Sequence, residues 1–193
     1  NIKQATSDAM LKGTHIHDAR EKFWDDVDIK KAENMSYTDL FGYFTSLFPI
    51  DDYTDMTEGM AAYEAQRFLD FKSNDLLDEF LPVGNELMLD STILIPRNTN
   101  PKRPLNRDYT VHLQGIIDRI YQSGEIYIPF EFKTGTWKDS KKTTMRREMS
   151  FYKLLMDTSP DWEGKVTKWG WYYPASNHIY LEDVNTRSET AMM

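Results

Sequence analysis

Two neighbouring stretches of alternating apolar residues constrain this chain more than any other feature. They are "TVHLQGIIDRIYQ", Thr110 to Gln122, and "EIYIPFEFKTG", Glu125 to Gly135. Successive side chains of a strand point to opposite faces. Ser123-Gly124 between the runs is a turn signal, so the two predict an antiparallel hairpin. In the second run Ile126, Ile128, Phe130 and Phe132 share one face, which the pattern assigns to a core. Tyr127, Glu131 and Lys133 share the other, which sets an acid and a base side by side at the end of a strand. A turn centred on Ser123-Gly124 puts Asp118 opposite Pro129 and diagonal to Glu131, at the roughly 7–8 Å usual for diagonal neighbours. Pro129 donates nothing to a ladder and marks an edge or a bulge, so this register is open to a slip of one residue.

The rest of the chain is arranged around this hairpin. Thr6 and Ser7 are placed to cap a helix through "DAMLKGTHIHDAREKFWDD". Apolar residues at three- and four-residue spacing predict further helices between residues 35 and 80, with Pro49 and "DDYTD" dividing them. After Pro82 the period changes: "NELMLDSTILI" predicts a strand, and Arg97–Asp108 a basic Pro/Asn-rich loop. "KKTTMRREMSFYKLLMD" predicts a helix, and "VTKWGWYYP" with "HIYLEDV" a last strand pair. This order predicts an α/β (α+β) fold, with a central mixed sheet flanked by helices.

Composition narrows the chemistry. The chain has no cysteine and four histidines, so thiolate zinc sites and cysteine-held iron–sulfur clusters are excluded. A metal site here must lean on carboxylates, which favours hard ions such as Mg²⁺ or Mn²⁺. Net charge is −8, yet Leu94–Arg147 carries eleven basic residues against five acidic ones. A positive segment on an acidic chain suits phosphate contact, since local fields rather than overall charge decide it. No stretch is long and apolar enough to predict a membrane span. Two carboxylates and an ammonium at one strand end have a bland explanation, a salt-bridged surface. They also suit phosphodiester cleavage, in which acids hold a cation and a lysine neutralises developing charge.

Asp118, Glu131 and Lys133 form D-x12-E-x-K, with an apolar strand before each acid, and this resembles the PD-(D/E)XK nuclease superfamily. Three further pieces resemble its RecB-like exonuclease branch. "GTHIH", Gly13 to His17, is similar to that branch's G-T-x-x-H helix. "GIIDRI", Gly115 to Ile120, is similar to its G-x-x-D-R-I strand. "EMSFY", Glu148 to Tyr152, stands where the branch has Q-x-x-x-Y. The resemblance covers residues 6–25 and 84–157 and implies a restriction-endonuclease-like core in one domain, 1–193, with a helical insertion at about 26–81. It implies a metal held by His17, Asp118, Glu131 and the backbone carbonyl of Phe132. Lys133 is then the catalytic lysine, and Tyr152 positions phosphate or strand. Glu86 in "NELML" resembles an acidic position of the branch, but as a single acid on a strand it reads as solvated and stays outside this set.

One departure matters. Glu148 replaces the glutamine, and a carboxylate cannot donate the amide hydrogen bond. It is able instead to pair with Arg147 or Lys133. For His17 the ordinary reading is a helix histidine bonded to Glu21 at i+4, while His15 falls on a surface face. Lys138, Lys141, Lys142, Arg146 and Arg147, with Glu148, form a candidate DNA track. Tyr37, Phe41, Tyr43, Phe44 and Phe48 offer either stacking surfaces for unpaired bases or a small core of the insertion's own. The expected function is a Mg²⁺- or Mn²⁺-dependent deoxyribonuclease without an iron–sulfur cluster, an exonuclease on single-stranded DNA or DNA ends. Its partner is DNA and its workplace intracellular, in a cell or in a virus-infected host. The alternatives are a structure- or sequence-specific endonuclease and an idle DNA-binding module.

Overall fold

The computed structural model describes residues 7–48, 54–98, 102, 104–162 and 165–184. Thr6, Pro49 and most of "DDYTD" lie outside them. Helices α1 (Asp8–Asp26), α2 (Ile29–Ala32), α3 (Tyr37–Ser46) and α4 (Thr54–Ser73) come first. Strands β1 (Gly84–Ile95), β2 (Tyr109–Ser123) and β3 (Ile126–Phe132) follow, then α5 (Lys142–Asp157) and strands β4 (Lys168–Tyr173) and β5 (His178–Asp183). The Ser7 hydroxyl caps α1 by accepting the Met10 N–H at 3.3 Å.

The strands form one sheet in the order β1-β2-β3-β4-β5. All neighbours are antiparallel except β3 and β4, which run parallel. A parallel pair needs a crossover, and α5 supplies it. The fold is the mixed-sheet α+β architecture that the sequence pattern predicts. Among the described residues, no helix is long and apolar enough to cross a membrane.

Each sheet face has its own core. On one side Phe130, Phe132 and Tyr172 pack with Ile16 and Phe23 of α1, Leu40 and Phe44 of α3, and Met60 and Phe68 of α4. The helices between α1 and β1 therefore share the sheet's core instead of enclosing one of their own. Phe44 and Phe48 are buried in it, with Phe48 stacked on Phe23 at 4.7 Å, so neither offers a face to a base. Each such phenylalanine contributes about 2 kcal/mol by leaving water.

On the other side Met145, Met149, Tyr152 and Leu155 of α5 pack against Leu89, Ile117, Trp169 and Trp171. Gly115 makes this approach close. A Cβ there would meet Leu155 Cδ1 at 2.7 Å and Phe151 Cε1 at 3.1 Å. The glycine of "GIIDRI" thus lets α5 press onto β2.

Candidate metal centre at a fork in the sheet

The β2–β3 ladder runs from Ser123–Ile126 to Arg119–Phe130 and stops. Pro129 faces Ile120, not Asp118. The turn lies one residue later than the sequence suggested, on Gly124-Glu125. Gly124 takes φ +57, a conformation that glycine adopts without steric cost and serine does not. Continued, this register aligns Asp118 with Glu131. There the strands part: the Phe132 N–H donates to Oδ2 of Asp118 at 2.7 Å. A side chain takes the place of the next ladder partner, and the site forms in the fork.

The alternation of β1 and β2 also changes phase here. Ile117 and Ile120, an odd three residues apart, both join the core under α5. On β1 Leu87 and Leu89 pack on that core, while the Asn85 amide reaches the other way to donate to the Glu21 carbonyl on α1. The register is unbroken across the change, with Asn85–Arg119 on one side and Leu87–Ile117 on the other. The irregularity is Glu86 itself, at φ +48. A non-glycine residue held there stores about 1–3 kcal/mol, a pattern common at functional sites.

The third element is α1. His17 Nδ1 lies 3.2 Å from Glu86 Oε1 and 3.9 Å from Asp118 Oδ1. Ligand atoms of His17, Glu86 and Asp118 all fall within 4.8 Å of one another, a group able to hold a metal ion. Glu86, read from sequence as a solvated strand acid, is thus a member of the trio. Glu21, read as the partner of His17, is not its partner. The signal for Glu86 is its backbone, which no spacing rule exposes. The His17 ring meets Phe132 edge-on at 5.6 Å, and His15 is exposed.

Beside the trio, at the end of β3, Glu131 is 3% exposed. The face carrying its charge is covered by α5, not held out to solvent. Tyr152 donates its hydroxyl hydrogen to Glu131 Oε2 at 2.7 Å. Lys133 Nζ donates to Glu131 Oε1 and, at 2.8 Å, to Glu148 Oε1. Glu148 and Tyr152 are one turn apart on α5, so a single helix face fixes both acid and lysine. Phe132 contributes its N–H to this site, through Asp118.

Burial first, then the Asp118 charge, pushes Glu131 up to about 7. Asp118 is raised too, chiefly by burial. His17 is raised, foremost by its hydrogen bond to Glu86; burial opposes this and the Asp118 charge adds to it. Burial and the neighbouring like charge thus favour the protonated acids, and a cation held between them would favour the ionised ones. One imidazole with carboxylates, and no thiolate, fits a divalent ion that prefers oxygen and tolerates nitrogen.

The basic residues on and before α5 stand differently. Arg146 is held bidentate by Glu182 at 2.8 and 2.5 Å. Lys141 Nζ donates to the Thr136 carbonyl at 2.7 Å, and Lys142 Nζ sits 4.4 Å above the Tyr180 ring. Lys138 and Arg147 are exposed. Three of the five are thus engaged within the protein.

No curated protein matches the chain. A family model does, over residues 2–189. With its sheet, its D-x12-E-x-K acids and its fork, the chain belongs to the PD-(D/E)XK nuclease superfamily, whose members are nucleases that use divalent metals.

Proposed function

We propose that this protein is a Mg²⁺- or Mn²⁺-dependent deoxyribonuclease of the RecB-like branch, acting as an exonuclease on single-stranded DNA or DNA ends. The observation that carries the reading is the convergence of His17, Glu86 and Asp118 within 4.8 Å, beside the Lys133–Glu131 pair. His17, Asp118 and Glu131, with Glu86 and the Phe132 carbonyl, would hold the ion. A divalent cation in such a site lowers the pKa of water and screens phosphate charge.

The chain's own residues do the rest. The Phe132 N–H holds Oδ2 of Asp118. Tyr152 fixes Glu131, so both acids are oriented before substrate arrives. Lys133, its ammonium stabilised by Glu131 and Glu148 despite the cost of burial, is a fixed positive charge. It meets the charge that builds on phosphate oxygens as the phosphorus–oxygen bond breaks. We place its work inside a cell or an infected host.

A digest of end-labelled single- and double-stranded DNA with Mg²⁺, Mn²⁺ or chelator tests the reading. Cleavage that needs the ion and vanishes in Glu131→Ala and Lys133→Ala supports it; wild-type cleavage by either variant rejects it. Covalently closed circular DNA separates the endonuclease reading, because an exonuclease leaves it intact. A protein that neither cuts DNA nor binds Mn²⁺ is the idle module.

A further inference from the structure

We infer that the open face of the β1–β2 arm is the bed for an unpaired nucleic-acid strand leading into the fork. The inference rests on the nuclease reading of the site and adds where its substrate lies.

Strand β2 pairs with β3 only over Arg119–Ser123, whereas its pairing with β1 runs from Tyr109 to Ile120. Beyond the fork the two strands form an arm. α5 covers one face of it through Gly115, Phe151 and Leu155. On the other face Met88 and Ile116, directly paired, are 58% and 50% exposed. Further out stand the pairs Asp90–Gln114 and Thr92–His112, all exposed.

Continuity with the metal centre is covalent. Met88 lies two residues beyond Glu86, and Ile116 two before Asp118. The apolar pair is thus the first surface that a strand meets on leaving the candidate ligands. Past it the face turns polar, with Gln114 donating to Met88 Sδ at 3.4 Å and Thr92 Oγ1 2.9 Å from His112 Nδ1. Near the far end Asn98 and Leu105 bridge the arm, and Arg97 and Arg107 flank that bridge, both exposed. Asp90 is the one acid among the pairs just named. From Asp118 to Thr110 the arm extends about 26 Å at the usual strand rise.

This layout selects the ligand. A duplex turns phosphates outward and has nothing to place on two exposed apolar side chains. An unpaired strand offers a base face to Met88 and Ile116, and its backbone charge to the arginines further along. Both neighbours of the scissile bond need not be paired for such a strand to enter.

The test is the affinity for labelled oligothymidylate, read by fluorescence anisotropy with chelator present so that nothing is cut. Met88→Ser with Ile116→Ser should weaken a strand of about twenty nucleotides about tenfold. Both side chains are exposed, so an unchanged melting temperature verifies the fold. Arg97→Glu with Arg107→Glu should flatten the salt dependence for that strand, yet leave one of about three nucleotides unaffected because it does not reach the tip. Unchanged affinity in both variants overturns the inference. So does an equal loss on duplex, or a wild-type dimer in sedimentation that the serine pair dissolves. Glu131→Ala separates the two readings. If it still cuts, the nuclease site is wrong; if it is dead while the arm variants bind normally, the arm alone is wrong.

Discussion

Tyr152 gives its hydroxyl hydrogen to Oε2 of Glu131 at 2.7 Å, while the other oxygen of that carboxylate takes the Lys133 ammonium. Both oxygens of one buried acid therefore accept a hydrogen bond, one from α5 and one from the residue just beyond β3. Tyr152→Phe keeps the ring in its place and removes one donor. Left with a free oxygen, Glu131 should lose its set orientation more than its place in the core. We expect turnover to fall about 10–100-fold, with a stability loss of about 1 kcal/mol. Steady-state cleavage rates and urea denaturation of the same sample read the two effects. A large stability loss with little change in rate would mean that the tyrosine is packing and nothing more.

Lys133 is bridged by Glu131 and Glu148, and Glu148 stands where the Q-x-x-x-Y pattern that this helix resembles has glutamine. The carboxylate accepts from Nζ, and a glutamine amide oxygen would accept from it too. Glu148→Gln should then retain activity within a few-fold, and Glu148→Ala should lose more than about tenfold. Rates at saturating DNA distinguish them. Equal damage by both changes would assign the role to the negative charge itself.

The hairpin, α1, α5 and the last strand pair were legible because period-2 and period-3.6 patterns are written locally. The spacing of Asp118, Glu131 and Lys133 was legible for the same reason: each sits at a countable distance from a turn or a strand. Glu86 was not. Its part depends on a positive φ and on a change of phase that two strands make together, and a single strand's pattern records neither. The turn was misplaced by one residue because Ser-Gly and Gly-Glu are equally good turn pairs until Gly124 is seen to take the left-handed position. Arg20, Glu64 and Arg67 were missed outright, since charges on helices read as solvated faces; here they lie against the sheet core.

Stability should respond to pH in one direction at the fork. Glu131, raised to about 7 by burial and then by Asp118, carries no penalty below the ordinary carboxylate range. The penalty grows as pH rises and is complete above about 7, at roughly 3 kcal/mol at most. Asp118, raised chiefly by burial, adds in the same sense. His17 is a base raised by its bond to Glu86. Its contribution is full below its unfolded pKa and is lost as pH climbs through the folded one. Glu182, which burial alone would raise, is held low by hydrogen bonds from Arg146 and Trp169. Its contribution fades only at more acidic pH. In chelator the melting temperature should therefore fall by several degrees between about pH 5.5 and pH 8. Mn²⁺ should raise it more at the higher pH, where the acids are ionised and the imidazole is neutral. Differential scanning calorimetry at the two pH values, with and without the ion, checks this; an equal gain at both would mean that the ion does not bind these groups.

Behind the fork, Glu64 of α4 is 1% exposed and faces two guanidinium groups, Arg67 at 3.1 Å and Arg20 at 3.7 Å. Arg20 lies one turn beyond His17 on α1, and its guanidinium stands 4.0 Å over the Phe132 ring. Arg119, lowered to about 10 by burial and then by the charge of Arg20, shows how crowded with positive charge this region is. Glu64 is thus the carboxylate that ties the helical segment to the helix and strand carrying His17 and Phe132. Glu64→Ala strands two buried cations and should cost about 3–5 kcal/mol. Changing Glu64 and Arg20 together to methionine removes one charge of each sign at similar volume and should cost much less. Guanidinium denaturation of both variants measures the difference. If the pair of changes is as damaging as the single one, shape and not charge is what Glu64 supplies.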